Sequence, residues 1–249
     1  MLTGNDITKT YGTQKEQTKA LNHVSITIEN GEFVAVMGPS GCGKSTLLFC
    51  LSGTDHITDG SITLNHKELS DMKEHELADL RRQKMGFVFQ QPTMLGSLNL
   101  LDNIILPASE RGGKARRDAV RRGQLLMRQT GIADLARRDI TEVSGGQLQR
   151  AGICRALINS PDILFADEPT GALNSKAADQ IMEMFAVINR KGTAIMLVTH
   201  DARVAARAGR ILFMKDGEIA SEMNLSNQLD GTIQDKTELV LQRMREMDL

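Results

Sequence analysis

The sequence carries almost no net charge, with 30 basic and 31 acidic side chains among 249 residues and a formal balance of −1 at pH 7. That excludes a nucleic-acid binder working through bulk positive charge, and no nucleic acid is expected as a partner. Long apolar runs are also missing. The longest, such as Ala194–Val198 and Ile163–Ala166, fall far short of the ~18 residues that would cross a bilayer. No leader of basic and then apolar residues is expected, since Thr3–Gln17 reads as polar throughout. Cysteine is scarce: Cys42, Cys50 and Cys154 are odd in number and lack paired-ligand spacing, which fits a reducing cytosol. A chain this long buries roughly 70–75% of its unfolded surface and so needs neither disulfides nor a structural metal. The expectation is a cytoplasmic, globular protein of one large domain, with room for an inserted subdomain.

What is present begins with strands. Val24, Ile26 and Ile28 alternate with polar residues as in a half-buried strand, and Phe33–Met37 is an apolar run suited to a fully buried one. Directly after it stand Gly38, Pro39, Ser40, Gly41, Cys42, Gly43, Lys44, Ser45 and Thr46, followed by apolar Leu47, Leu48, Phe49 and Leu51. Strand, glycine loop and helix in this order form a phosphate cradle. The glycines let successive N–H groups turn inward, and the helix start adds unsatisfied donors and the positive end of its dipole. In such a loop Lys44 reaches the β- and γ-phosphates and the Ser45 hydroxyl ligates Mg2+. A dinucleotide fingerprint is excluded, because neither Gly nor Ala stands three places beyond Gly43. This is a nucleoside triphosphate site. Cys42 inside it is expected either to block nucleotide when alkylated or to be an unreactive filler.

Farther along, Met85–Phe89 forms another apolar strand ending in Gln90, after a turn at Asp55–Gly60 and a weak helical stripe over Leu69–Arg82. From about residue 99 to 138 strand signals vanish. Residues 111–128 hold Arg111, Lys114, Arg116, Arg117, Arg121, Arg122 and Arg128 against one acid, Asp118. Ala115, Ala119, Gly123 and Leu126 recur at helical spacing, which predicts a helix with its basic residues on the exposed face. That face is either simply solvated or turned to anionic headgroups or an acidic partner.

Glu142-Val143-Ser144-Gly145-Gly146-Gln147 then opens a helix with Leu148, Ala151, Leu157 and Ile158 on its apolar face and Arg150 and Arg155 off it. This is a second glycine-lined helix start, hence a second anion site, in a chain with one phosphate loop. Ile163–Ala166 is a strand ending in Asp167 and Glu168. One carboxylate there can hold Mg2+ through water while the other orients an attacking water. Ala194–Val198, another buried strand, closes on Thr199 and His200 at the edge where open α/β sheets place their ligands.

GPSGCGKS, then VSGGQ and, shortly after, ILFADE together resemble the ATP-binding cassette family, specifically its nucleotide-binding subunits, from Tyr11 to about Ile219. The resemblance implies an α/β P-loop NTPase, an ABC-type ATPase domain spanning the whole chain. Its parts would be a RecA-like core (about 1–90 and 140–220), an antiparallel β subdomain, an inserted helical subdomain (about 91–140) and a C-terminal extension (about 222–249). It also implies ATP and Mg2+ as ligands, and two copies facing head to tail, Ser144, Gly145, Gly146 and Gln147 of each gripping the γ-phosphate bound to the other. Tyr11, the only tyrosine, stands where the family stacks an aromatic ring on adenine, worth ~1–3 kcal/mol. Lys44, Ser45 and Thr46 bind phosphates and metal, and Gln90 contacts the metal while linking to the helical insertion. Asp167 holds the metal, Glu168 is the general base and His200 steadies the γ-phosphate. The implied partner is an integral membrane permease, with this ATPase peripheral on the inner face of the cell membrane.

One position departs from the family pattern: Asn174 follows Pro169-Thr170-Gly171-Ala172-Leu173 where Asp is usual, which puts the coupling of the two sites in question. FADEPTGAL, MGFVFQ and NLLDNIILPA resemble the branch of lipoprotein-release, macrolide-export and peptide-antibiotic-resistance ATPases. Met72–Gln90 is most similar to bacitracin-type peptide-resistance ATPases, so powering antimicrobial-peptide resistance or export is the expected role. The alternatives are a lipoprotein-release or macrolide-export ATPase, or a cell-division ATPase coupled to a permease-like partner without transport; the branch disfavours an importer. A chromosome-maintenance ATPase needs a coiled-coil insertion that this length excludes, and a translation-factor ATPase needs two cassettes. Leu239, Val240, Leu241 and Met244 hint at a final helix, either a group-specific extension or the cover of an exposed edge.

Overall fold

The computed structural model describes residues 1–13, 16–109, 113–226 and 231–248. In chain order the elements are β1 (Leu2–Thr13), β2 (Glu16–Ile28), β3 (Phe33–Met37), α1 (Lys44–Leu51), β4 (Asp59–Leu64), β5 (Lys67–Glu68), α2 (Glu74–Lys84), β6 (Met85–Phe89) and α3 (Leu100–Ile105). There follow α4 (Gly113–Gln129), α5 (Gly145–Leu157), β7 (Ile163–Asp167), α6 (Ser175–Arg190), β8 (Ala194–Val198), α7 (Ala202–Ala205), β9 (Arg210–Lys215), β10 (Glu218–Asn224) and α8 (Ile233–Glu246).

The apolar runs β3 and β8 are buried at every position and lie side by side in a sheet ordered β10-β9-β3-β8-β7-β6. Strands β9 to β6 are parallel, and only β10 joins antiparallel. Continuous apolar strands are what a parallel sheet needs, because both faces are covered. Val34 and Val36 point into one core with Leu47, Leu51 and Phe165, whereas Ala35 and Met37 point into the other with Phe185, Ile181 and Phe213. Since Val36 pairs with Val198 and Val198 with Asp167, strands β3, β8 and β7 end together, and Gly38, Glu168 and Thr199 leave the sheet at one edge.

The second sheet is antiparallel, in the order β2-β1-β4-β5. Its first strand corrects the reading of residues 3–17 as merely polar. Ile7 is fully buried, and β1 pairs with β2 from Leu2↔Ile28 to Thr13↔Glu16. The alternation is hidden because register shifts between Gly4 and Ile7, Ile7 and Lys9, and Lys9 and Thr10 reset which face each side chain takes. The turn assigned to Asp55–Gly60 overlaps the start of β4, and the helix expected over Leu69–Arg82 starts only at Glu74, with Leu69 in the core.

A third core joins α3, α4 and α5 through Leu100, Ile104, Met127, Ala151, Cys154 and Ile158. Within the expected basic run, Arg111 lies outside the described residues. Ala119 and Leu126 are buried as the spacing predicts, while Arg122 turns inward and donates from Nε and Nη2 to the carbonyls of Ile158 (2.6 Å) and Leu157 (3.0 Å). In α8, Val240 is buried, but Leu239 and Leu241 are exposed. The helix lies against the edge strand β10, where Arg243 Nη2 donates to Ser221 Oγ at 2.7 Å. No helix among the described residues is long and apolar enough to cross a membrane.

Candidate active site

The loop from Gly38 to Gly43 joins the buried end of β3 to α1. Two glycines there are required by both conformation and space. Gly38 (φ 155°) and Gly43 (φ 104°) have left-handed backbones, and a Cβ would stand 2.2 Å from Met214 O at the first and 2.5 Å from Ala20 O at the second. The loop is pinned further by Gly217 N–H, which donates to Cys42 O at 3.1 Å. Lys44 is buried, its ammonium donating to the carbonyls of Gly38 (2.9 Å) and Pro39 (2.8 Å). A cation is thus held inside a ring of backbone at the start of a helix. Cys42 packs its side chain into the core at 6% exposure, and burial pushes its thiol above the usual range. This favours the filler reading of Cys42 over that of a reactive thiol.

Opposite the loop, Ser45 Oγ donates to Asp167 Oδ1 at 3.1 Å. Burial and the adjacent Glu168 charge raise the Asp167 carboxyl above the usual carboxylate range, although the Ser45 hydrogen bond opposes the shift. A hydroxyl and a carboxylate, both oxygen donors and short of positive charge, fit Mg2+. Among the described residues no cluster of three His, Cys, Asp or Glu side chains could hold a metal by itself, so phosphate oxygens and water would complete its shell.

Glu168 has a left-handed backbone (φ 47°), which is strained for a side chain of this size. Its Oε1 lies 2.8 Å from His200 Nδ1, and its Oε2 accepts from Thr199 Oγ1 at 3.3 Å. Backbone bonds lock the geometry: Glu168 N donates to Val198 O (3.0 Å) and Thr199 N to Val36 O (3.1 Å). A carboxylate oriented by a hydroxyl and an imidazole, beside a buried lysine and a metal-suited pair, is equipped to accept a proton from water. Gln90 is exposed at the end of β6, and a Cβ at Gly171 would come within 2.8 Å of its Nε2. Gln90 and the segment after Glu168 are therefore packed together.

One residue escaped the sequence reading. Gln149, on α5, is 1% exposed and donates from Nε2 to Phe89 O (3.0 Å) and Pro169 O (2.7 Å). It ties the glycine-started helix to the residue before Gln90 and the residue after Glu168. The signal was a second apolar arc: Gly152, Ile153 and Ala156 lie on the same side of the helix as Gln149, and all are buried. A helix covered on both sides buries its polar residue too.

The α5 start itself is open. Ser144 caps it, accepting from Gln147 N, while Gln147 Oε1 accepts from Ser144 N at 2.8 Å. Ser144 and Gly145 are exposed, and among the described residues no hydrogen bond joins this segment to the phosphate loop. Asn174 caps α6, its Oδ1 accepting from Ala177 N at 2.9 Å, a task asparagine and aspartate perform equally. Tyr11 is 42% exposed and donates from its hydroxyl to Asp55 Oδ2 at 2.6 Å, with Lys9 Nζ 4.7 Å over the ring. Desolvation and Asp55 push its phenol up to about 12.

Comparison with known proteins fits this geometry. The family model described as ABC transporter matches residues 21–171. The bacitracin export ATP-binding protein BceA of Halalkalibacterium halodurans is 39% identical over 229 residues, covering 92% of this chain and 90% of its own. The lipoprotein-releasing system ATP-binding protein LolD of Aquifex aeolicus is 43% identical over 203 residues, 82% of this chain and 90% of its own. A solved dimeric ATP-binding cassette in a post-hydrolysis state, bound to ADP and Pi, superposes with a TM-score of 0.84 at 38% identity, covering 90% of this chain and 99% of that one.

Proposed function

This chain belongs to the ABC transporter family and is an ATPase of that family, and on that premise we propose that two copies close head to tail over ATP to drive a membrane permease. The observation that carries the reading is the start of α5. Nothing stands within 4 Å of where a Cβ of Gly145 would be, so no contact inside the chain requires a glycine there. Yet glycine is a poorer helix former than alanine. The need for bare backbone therefore comes from outside the chain, and a triphosphate held by a second copy supplies it.

Within the closed site, Lys44 exchanges its carbonyl partners for β- and γ-phosphate oxygens, and Tyr11 offers its exposed ring to the base. Ser45 and Asp167 would hold Mg2+, which would neutralise phosphate charge when bound. Glu168, fixed by Thr199 and His200, takes the proton of the attacking water, and His200, whose Nδ1 is engaged by Glu168, has its other ring nitrogen to offer the γ-phosphate. Ser144, Gly145, Gly146 and Gln147 of the second copy close the other side. Moving a pair from mostly open to mostly closed takes ~5.5 kcal/mol of differential binding. Charge-assisted bonds to two shared triphosphates are of the right size to supply it.

For the permease's task, antimicrobial-peptide resistance or export is the first reading, supported by likeness to BceA across nearly the whole chain. Lipoprotein release is the second, supported by likeness to LolD. Deleting the gene and scoring growth against a bacitracin-type peptide separates them. The first reading expects hypersensitivity that the wild-type gene reverses and Glu168→Gln does not. Unchanged peptide tolerance together with retained lipoproteins in the cell membrane assigns the second.

A further inference from the structure

We propose that the exposed face of α4 binds anionic phospholipid headgroups directly. Helical spacing puts Lys114, Arg117, Arg121 and Arg128 on one side of α4, and all four are exposed. The opposite side is buried through Ala119, Gly123 and Met127, so the cationic row is fixed in place by the core beneath it. Lys114, Arg117 and Arg128 pair with no carboxylate among the described residues. Arg121 pairs with Asp118 (2.7 Å) and Arg116 with Asp102 (3.3 Å), both exposed enough to exchange partners. Arg116, Arg117, Val120 and Arg121 line one shallow surface depression on α4, so three arginines are neighbours on a single stretch of the helix. In a chain whose net charge is −1, this is a local concentration of positive charge that the ATPase site does not use.

A membrane fits this face better than an acidic protein does. Protein interfaces centre on buried aromatic or aliphatic anchors, and this row has none beyond Leu125 at its margin. A lipid surface needs only charge held within a Debye length. The binding belongs to the chain itself, so it stands apart from the identity of the permease.

The test is flotation of the full chain with vesicles of phosphatidylcholine alone and of phosphatidylcholine with phosphatidylglycerol. Wild type should float only with the anionic vesicles, and less as salt is raised. Changing Lys114, Arg117, Arg121 and Arg128 to Gln should abolish flotation, each cation accounting for about fivefold in affinity, while basal ATP hydrolysis stays unchanged. A control that changes Lys67, Lys73, Lys191 and Arg245 to Gln removes the same charge from other surfaces and should float like wild type. The proposal is overturned if wild type fails to float with anionic vesicles, which would turn attention to an acidic protein partner, or if both fourfold variants lose flotation equally.

Discussion

Replacing Gln149 with Met tests whether one buried amide positions the catalytic edge. The substitution keeps roughly the same volume but removes both donated bonds, to Phe89 O at 3.0 Å and Pro169 O at 2.7 Å. A buried carbonyl left without its donor costs about 1–3 kcal/mol. The Phe89 end is only partly buried and recovers some of its loss from water, so the pair amounts to roughly 2–4 kcal/mol. For a chain of this size each kcal/mol moves the melting temperature about 2–4 °C, giving a fall of roughly 4–16 °C. The two carbonyls flank Gln90 and Glu168, and a displacement of about 1 Å at a catalytic group costs on the order of a hundredfold. Lys44 and Ser45 are held by other contacts, so the loss should fall on kcat while KM for ATP changes little. Thermal unfolding and steady-state hydrolysis read both effects. A Gln149→Met variant that melts with wild type and keeps its kcat would refute the positioning role.

Further outcomes follow from the same geometry. Glu168→Gln keeps the shape near Thr199 and His200 but loses the base, so turnover should fall by about 10²–10⁴, or ~3–5 kcal/mol of barrier, with ATP binding retained. Normal hydrolysis by that variant would remove Glu168 from the mechanism. Asn174→Asp preserves the α6 cap and should change ATPase activity only a few-fold; a gain of about a hundredfold, ~2.7 kcal/mol of barrier, would show that the missing charge matters. Burial pushes Cys154 up to about 11 and Cys50 up to about 12, whereas in the unfolded chain these thiols ionise at ~8.5. The unfolded chain then binds fewer protons above pH ~8.5, so this contribution is complete below that pH and is lost as pH rises through 11 to 12. A Cys50→Ala/Cys154→Ala variant should show a shallower alkaline decline in urea-melt stability, and an equal slope would count against the assignment. Cys42 should react with an alkylating probe far more slowly than a free thiol at pH 8, unless the chain is first unfolded.

The catalytic edge was legible in the sequence because its residues stand at strand ends and loop starts with fixed spacing. Phe33–Met37, Ile163–Ala166 and Ala194–Val198 announce buried parallel strands by unbroken apolar runs, and each delivers its next residues to one edge. Where bulges reset the alternation, as in β1, the same kind of reasoning missed a strand with a fully buried Ile7. Gln149 was missed for another reason: a helix between two cores buries polar and apolar residues alike, and a single apolar stripe is the wrong template for it. The sequence placed Tyr11 by resemblance, but its hydrogen bond to Asp55 comes from the antiparallel sheet meeting the loop after α1, a contact no local pattern reveals.

The most direct test mixes two inactive variants, Lys44→Ala and Ser144→Arg. If each ATP site draws Lys44 from one copy and Ser144 from its twin, the mixed pair contains one site with both residues intact. ATP hydrolysis should then appear on mixing, although neither variant hydrolyses alone. Were the site built within a single chain, no molecule in the mixture would hold both residues, and a mixture as inactive as its parts would contradict the shared site.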